Sequence, residues 1–177
     1  MNMHIIYGNA EQLLAKLDNG EIHFALIEGY FPSHKYEQLL YYTDSFICVC
    51  AKNHTFSQKV NHIEDLLNER ILVRETGSGT RDLLDSYLKT YNVSYLDFKN
   101  HLEIESISSI ISLLKNDCGI SFLYRLSVEE ELKNGSLKEI KIQNLPLHHD
   151  TTFLWNKNSV YSKQYKEICK ELIGEYK

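Results

Sequence analysis

Apolar positions along the chain form two kinds of run in turn, which predicts strands and helices that alternate. Short, nearly continuous apolar runs such as HFALIE at 23–28 indicate strands covered on both faces. Stretches with apolar residues three and four apart, such as Leu13, Leu14 and Leu17, indicate amphipathic helices. The predicted strands are 3–7, 23–28, 45–51, 70–74, 101–105, 119–124, 137–142 and 151–155. The predicted helices are 10–19, 63–67, 80–91, 106–115, 128–133 and 162–176.

This succession of strand–helix units predicts an α/β protein with mainly parallel sheets. No linker of Gly, Pro or Ser divides the sequence into two consecutive domains, and no repeat of fixed period is present. The pattern therefore favours two lobes that exchange strands over two separate domains in a row.

The charge of the chain argues against nucleic-acid binding by this piece alone. The 177 residues carry a formal net charge of −5, and their 19 Lys and Arg residues are scattered rather than clustered. The N-terminal sequence MNMHIIYGNAEQ lacks the pattern of a signal peptide, and no run approaches the roughly 20 apolar residues of a membrane helix. We expect a soluble, cytoplasmic protein.

The sequence offers little for catalysis, cofactors or metals. It contains neither GxxxxGK[ST] nor GxGxxG, and neither G-x-S-x-G nor HExxH. The four cysteines have neither the spacing of a zinc site nor a compartment that favours disulfides, so we expect buried thiols at Cys48, Cys50, Cys118 and Cys169. We therefore expect no enzyme activity, no cofactor and no metal.

The most informative stretch is TGSGT at 76–80, between a predicted strand and a predicted helix. Gly77 and Gly79 allow close approach of the backbone to a ligand, and the helix that follows presents unpaired N–H groups and a positive dipole end. Ser78 and Thr80 add hydroxyl donors. These features favour a small anion, a carboxylate or an inorganic oxyanion. The alternative is an ordinary helix cap in which Ser78 or Thr80 bonds the first turn and nothing is bound.

Two further strand-to-helix junctions carry small polar residues. One is Gly8-Asn9, and the other is the hydroxyl-rich segment 105–109. In open α/β sheets, ligands bind outside the carboxyl ends of the strands. The three junctions together therefore predict a site for a small polar or anionic ligand.

The ordered series of motifs resembles the effector-binding domain of LysR-type bacterial transcription regulators. The matching segments are AEQLLAKLDNGEIHFALIEG at 10–29, SFICVCAKNHTF at 45–56, RILVRETGSGTRDLLD at 70–85 and ESISSIISLLKNDCGISFLYRLSVEEELKNGSLKEIKI at 105–142. They follow one another in the family's order and spacing over nearly the whole chain.

The resemblance implies a fold like that of periplasmic binding proteins, with two Rossmann-like subdomains joined by crossing strands. Subdomain I would be 1–56 plus 149–177, subdomain II would be 57–148, and the family's first strand and helix would be missing. An effector would bind in the cleft between the subdomains, which the resemblance lines with Gly8, Asn9, Thr76, Gly77, Ser78, Gly79, Thr80, Ser106, Ile107 and Ser108.

The resemblance also implies partners. Family members form homo-oligomers and bind promoter DNA through a helix-turn-helix domain, which this sequence lacks. One alternative is the substrate-binding protein of a transporter, which shares the fold. Another is a small α/β transferase that uses the TGSGT loop as a phosphate cradle.

Overall fold

The computed structural model describes residues 3–28 and 30–174. Within these ranges the helices are α1 (Ala10–Asp18), α2 (Gly79–Lys89), α3 (Ile107–Lys115), α4 (Glu129–Asn134) and α5 (Ser162–Gly174). The strands are β1 (Ala25–Glu28), β2 (Tyr36–Ala51), β3 (Arg70–Val73), β4 (Asn100–Glu103), β5 (Ile120–Tyr124), β6 (Leu137–Ile140) and β7 (Leu147–Asn156). Short 3-10 helices span Ile63–Leu66, Tyr95–Asp97 and Arg125–Val128.

The chain divides into two compact units that share their longest strands. Unit 1 comprises Met1–Thr43, Gly77–Gly79 and Asp150–Lys177, and unit 2 comprises Asp44–Thr76 and Thr80–His149. Both β2 and β7 therefore contribute residues to each unit. The subdomain boundaries that the family resemblance implies, after residues 56 and 148, stay predictions.

Unit 1 is built on β1, β7 and the first half of β2, with helices packed against both faces. β1 runs antiparallel to β7, with Ala25 opposite Leu154 and Glu28 opposite Thr151. Because successive side chains on a strand point to opposite faces, β7 serves two cores. Leu154 packs with Leu17 of α1, whereas Trp155 packs with Tyr165 of α5.

Unit 2 is a mixed sheet with a larger core. The second half of β2 pairs antiparallel with β5 and β6, and β3 lies parallel to both β4 and β5. One face packs against α2 through Leu84, Tyr87 and Leu88, and the other packs against α3 through Ile110 and Leu114. This arrangement places the carboxyl ends of β3 and β4 side by side.

The expectation of mainly parallel sheets is wrong. In the described part of the chain, β3–β4 and β3–β5 are parallel, whereas β1–β7, β2–β5 and β2–β6 are antiparallel. The run at 23–28 predicted a fully covered parallel strand, but β1 is antiparallel and alternates buried with exposed residues. Leu26 on its outer face is 38% exposed.

The structure also changes two strand boundaries. Residues 3–7 form no strand, because no described strand pairs with them, and Ile5 is 66% exposed. β2 begins at Tyr36 rather than at Ser45, since its first half alternates buried or half-buried with exposed residues instead of forming an apolar run. No helix in the described ranges is long and apolar enough to span a membrane.

Candidate ligand-binding site

The TGSGT turn connects β3 to α2. β3 ends at Val73, and the first helical residue is Gly79. Gly77 has a φ of +87°, in the left-handed region that favours glycine. Replacing Gly77 by any other amino acid would therefore strain the backbone of this turn.

The side chains that carry the two hydroxyl groups of this turn are largely covered. Ser78 is 3% exposed and Thr80 is 4% exposed. Neither hydroxyl makes a hydrogen bond within the part of the chain that the structure describes. The interpretation of Ser78 or Thr80 as an ordinary helix cap with nothing bound stays an alternative. Thr76, in contrast, lies exposed at the start of the turn.

The second predicted junction lies next to this turn in unit 1. A Cβ atom added to Gly77 would lie 3.3 Å from Nδ2 of Asn9 and 2.9 Å from Oε2 of Glu11. Asn9 caps α1, because its Oδ1 accepts from the N–H of Gln12 at 2.9 Å and its own N–H donates to Oε1 of Gln12 at 3.2 Å. The structure thus brings Asn9 to Gly77, with the exposed Gly8 immediately before it.

The third junction is a capped helix start in unit 2. Oγ of Ser106 accepts from the N–H of Ser109 at 3.3 Å and lies 2.8 Å from Oγ of Ser108. Both hydroxyl side chains are exposed, and Ile107 is half-buried between them. Ser106 thus caps α3, and the side chains of Ser106 and Ser108 remain exposed to solvent.

Glu11 is a neighbour of the TGSGT turn that sequence reasoning missed. Its carboxylate lies against Gly77 although the two residues are far apart in the sequence. An acidic residue in the first turn of a helix is common because it complements the dipole, so nothing in the local sequence distinguishes it. The carboxylate places a negative charge beside the proposed anion site.

Arg81, which follows the turn directly, is buried among acidic partners rather than exposed to solvent. Its side chain is 6% exposed. Nη1 donates to the carbonyl oxygen of Arg74 at 2.8 Å, and Nε donates to the carboxylate of Asp85 at 2.9 Å. Burial acts to lower the pKa of Arg81, but the neighbouring Asp85, Tyr95 and Glu103 outweigh it and the pKa is raised. Arg81 is a charged residue held inside unit 2.

The described residues contain no cluster of three or more His, Cys, Asp or Glu side chains suited to a metal ion. All four cysteines are free thiols, and Cys48 and Cys50 are fully buried. Burial raises the pKa of Cys50 to about 12, which makes it a poor nucleophile.

The fold is α/β, and small polar residues lie just before the helices α1, α2 and α3. The chain matches the LysR substrate binding domain over residues 1–175 and belongs to this family. It spans about half the length of the curated relatives it matches.

A relative from Chlorokybus atmophyticus, named "Probable RuBisCO transcriptional regulator", is 27% identical over 162 residues, which cover 89% of this chain and 52% of that protein. Two solved structures share the fold. The regulatory domain of CcmR from Synechocystis PCC6803, in complex with 2-PG, has a TM-score of 0.79 at 20% identity and covers 96% of this chain and 80% of its own. The effector binding domain of QuiR, in complex with shikimate, has a TM-score of 0.75 at 20% identity. The match covers 96% of this chain and 78% of the QuiR chain.

Proposed function

We propose that the chain is the ligand-sensing regulatory domain of a LysR-type transcription factor and binds a small anionic effector at the turn Thr76–Thr80. The observation that carries this proposal is the pair of hydroxyl side chains, Ser78 and Thr80, that lie at the start of α2 and form no hydrogen bond among the described residues. Hydroxyl groups without a protein partner are free to donate a hydrogen bond to a ligand or to water.

The chemistry of the turn favours an anion held by neutral donors. The start of α2 supplies backbone N–H groups and the positive end of the helix dipole. Arg81 is engaged elsewhere, so no arginine of this turn forms an ion pair with the ligand. CcmR and QuiR, which share the fold, were solved with 2-PG and with shikimate, a carboxylate. Recognition by hydroxyl and amide groups suits a small carboxylate or a small oxyanion.

The proposal extends to the rest of the site and of the protein. Gly8, Asn9, Ser106, Ile107 and Ser108 would contact other parts of the effector. The whole protein would act without catalysis, as a cytoplasmic homo-oligomer that binds DNA through a separate helix-turn-helix domain. Effector binding would then shift the population of its conformations.

The test is a calorimetric titration of the 177-residue chain with sulfate and with a panel of carboxylates. Replacement of both Ser78 and Thr80 by alanine should weaken the binding of whichever of these anions the parent chain binds. A hydrogen bond to a charged group contributes about 1.5–3 kcal/mol, so each lost hydroxyl should cost at least about tenfold in affinity.

The control is Ser86→Ala, which removes an exposed hydroxyl from the same helix away from its first turn. This variant should bind like the parent chain. Equal affinity of the double variant and the parent chain would contradict the proposed site.

A further inference from the structure

We infer that Arg81 is a positioning residue that holds the ends of β3 and β4 at the spacing the effector site requires, without touching the effector. This inference rests on the proposed function of the same site. It assigns the charge of Arg81 to the architecture of the site rather than to ligand recognition.

The guanidinium group joins the carboxyl ends of two neighbouring parallel strands. Its Nη1 donates to the carbonyl oxygen of Arg74 at 2.8 Å, one residue beyond the end of β3. The same nitrogen donates to Oε2 of Glu103, the last residue of β4, at 3.2 Å. In the register of the two strands, Val73 lies opposite Glu103. Arg81 therefore fixes the two strand ends relative to each other.

The other side of the guanidinium fixes its own position. Nε lies 3.1 and 2.9 Å from the two carboxylate oxygens of Asp85, one turn further along α2. Cζ lies 3.9 Å from the centre of the Tyr95 ring, which is a cation–π distance. With these partners and little exposure, the side chain has one conformation available.

The two strand ends that Arg81 joins lead directly into two predicted ligand-binding turns. Thr76–Thr80 begins two residues after Arg74, and Ser106–Ser108 begins three residues after Glu103. A shift of either strand end moves the hydroxyl groups of the turn that follows. The planar fork of arginine can reach a carbonyl and two carboxylates at once, whereas the single ammonium group of lysine cannot reproduce this geometry.

The test compares Arg81→Lys with Arg81→Met in a sulfate titration of the 177-residue chain, well below the unfolding temperature. We expect both variants to lose sulfate affinity by the same factor, about tenfold or more. The charge retained in Arg81→Lys should give no rescue, because the charge does not contact the anion.

Two results would overturn the inference. A direct ligand role would leave Arg81→Lys close to the parent chain and only Arg81→Met weakened. A purely structural role would lower the melting temperature of both variants while their folded fraction kept the parent affinity.

A ligand-free measurement separates this inference from the proposed function. Backbone amide chemical shifts in Arg81→Lys should change at Thr76–Thr80 and at Ser106–Ser108, and stay unchanged in α4. Glu103→Ala removes only the β4 side of the contact, from a half-exposed side chain, and should move the second turn alone.

If the parent chain binds no sulfate but both turns respond in this way, the proposed site fails and the positioning role stands. If Ser106–Ser108 do not respond to either substitution, the positioning role is wrong whatever the sulfate result. Should Arg81→Met fail to fold, Arg81→Lys still reports on sulfate affinity, and Arg81→Lys and Glu103→Ala still report on the amide chemical shifts of the two turns.

Discussion

At the scale of single residues, the sequence predicted the chemistry of the TGSGT turn but not its surroundings. Glycines and hydroxyl side chains after a buried strand are a local pattern, and the structure keeps them together at the start of α2. Glu11 reaches the same place only through the packing of α1, and the partners of Arg81 come from β4 and a 3-10 helix. Contacts between distant segments leave no mark on the local pattern of a single sequence.

Glu11 gives the first prediction at this scale. Replacement by glutamine removes a negative charge beside the turn, where two unit charges 4 Å apart in water interact by about 1 kcal/mol. Glu11→Gln should therefore bind sulfate about fivefold more tightly than the parent chain. The measurement is a calorimetric titration at low ionic strength. The control, Glu171→Gln, changes the net charge equally at an exposed position on α5 and should have no effect; an equal gain there would point to net charge alone.

Gly77 gives the second prediction. Alanine at a left-handed φ costs about 1–2 kcal/mol, and its Cβ would also displace the Glu11 carboxylate. Gly135 has a similar φ of +73° with nothing within 4 Å of an added Cβ. Both Gly→Ala variants should lose similar stability in urea unfolding, because a flexible carboxylate moves easily. Only Gly77→Ala should alter anion binding, and a change in both variants would count against the site.

At the scale of elements, helices were predicted better than strands. The predicted helix 10–19 matches α1 to within one residue, since capping depends on residues a few positions apart. Strands depend on partners, so the apolar segment at 3–7 forms none and the polar first half of β2 forms part of a long strand. The antiparallel direction of β1 likewise follows from its pairing with β7 rather than from its apolar run.

The third prediction concerns the link between α1 and β2. The hydroxyl of Tyr36 donates to Oδ1 of Asp18 at 2.6 Å, and this bond is the main cause that holds the pKa of Asp18 below its usual value. Burial, followed by the bond to Asp18, raises the pKa of Tyr36 to about 12. Tyr36→Phe should lower the free energy of unfolding by about 1 kcal/mol at neutral pH.

The pH dependence follows from these directions. The carboxylate contribution is present above the unfolded pKa of Asp18 and is lost as the pH falls through its lower folded pKa. The tyrosine contribution is present below its unfolded pKa of 10.0 and is lost as the pH rises towards 12. The difference in the free energy of unfolding between Tyr36→Phe and the parent chain, measured in urea, should shrink at both low and high pH. Tyr42→Phe, on the exposed side of β2, is the control; a difference that does not vary with pH would contradict the assignment.

At the scale of the whole molecule, the family and its α/β fold could be predicted because the ordered motifs extend over nearly the entire chain. The match to the LysR substrate binding domain covers residues 1–175. The proportion of parallel strands could not be predicted, because β2 and β7 contribute to both units and run antiparallel to their partners. Local periodicity identifies a strand but not the direction of its neighbour.

The fourth prediction is that the chain self-associates. β1 is the last strand at its end of the sheet, and its outward-facing Leu26 is 38% exposed. An exposed edge strand with apolar side chains favours pairing with another chain. Light scattering should show a concentration-dependent dimer that Leu26→Lys converts to monomer. Val160→Lys, a highly exposed position outside the strands, should leave the dimer intact. A monomer at all concentrations would refute the prediction.

The hydroxyl groups of Ser78 and Thr80 also bear on how this domain could be engineered. Hydroxyl groups in a largely covered turn lose part of their hydration without gaining a protein partner, which reduces the stability of the empty protein. Ser78→Ala with Thr80→Val should therefore raise the melting temperature of the ligand-free chain while abolishing its response to the anion, as a thermal-shift series with and without sulfate would show. A lower melting temperature would mean that water already satisfies both hydroxyls. Selection for thermostability alone would then favour substitutions at this turn that produce more robust domains unable to sense their effector.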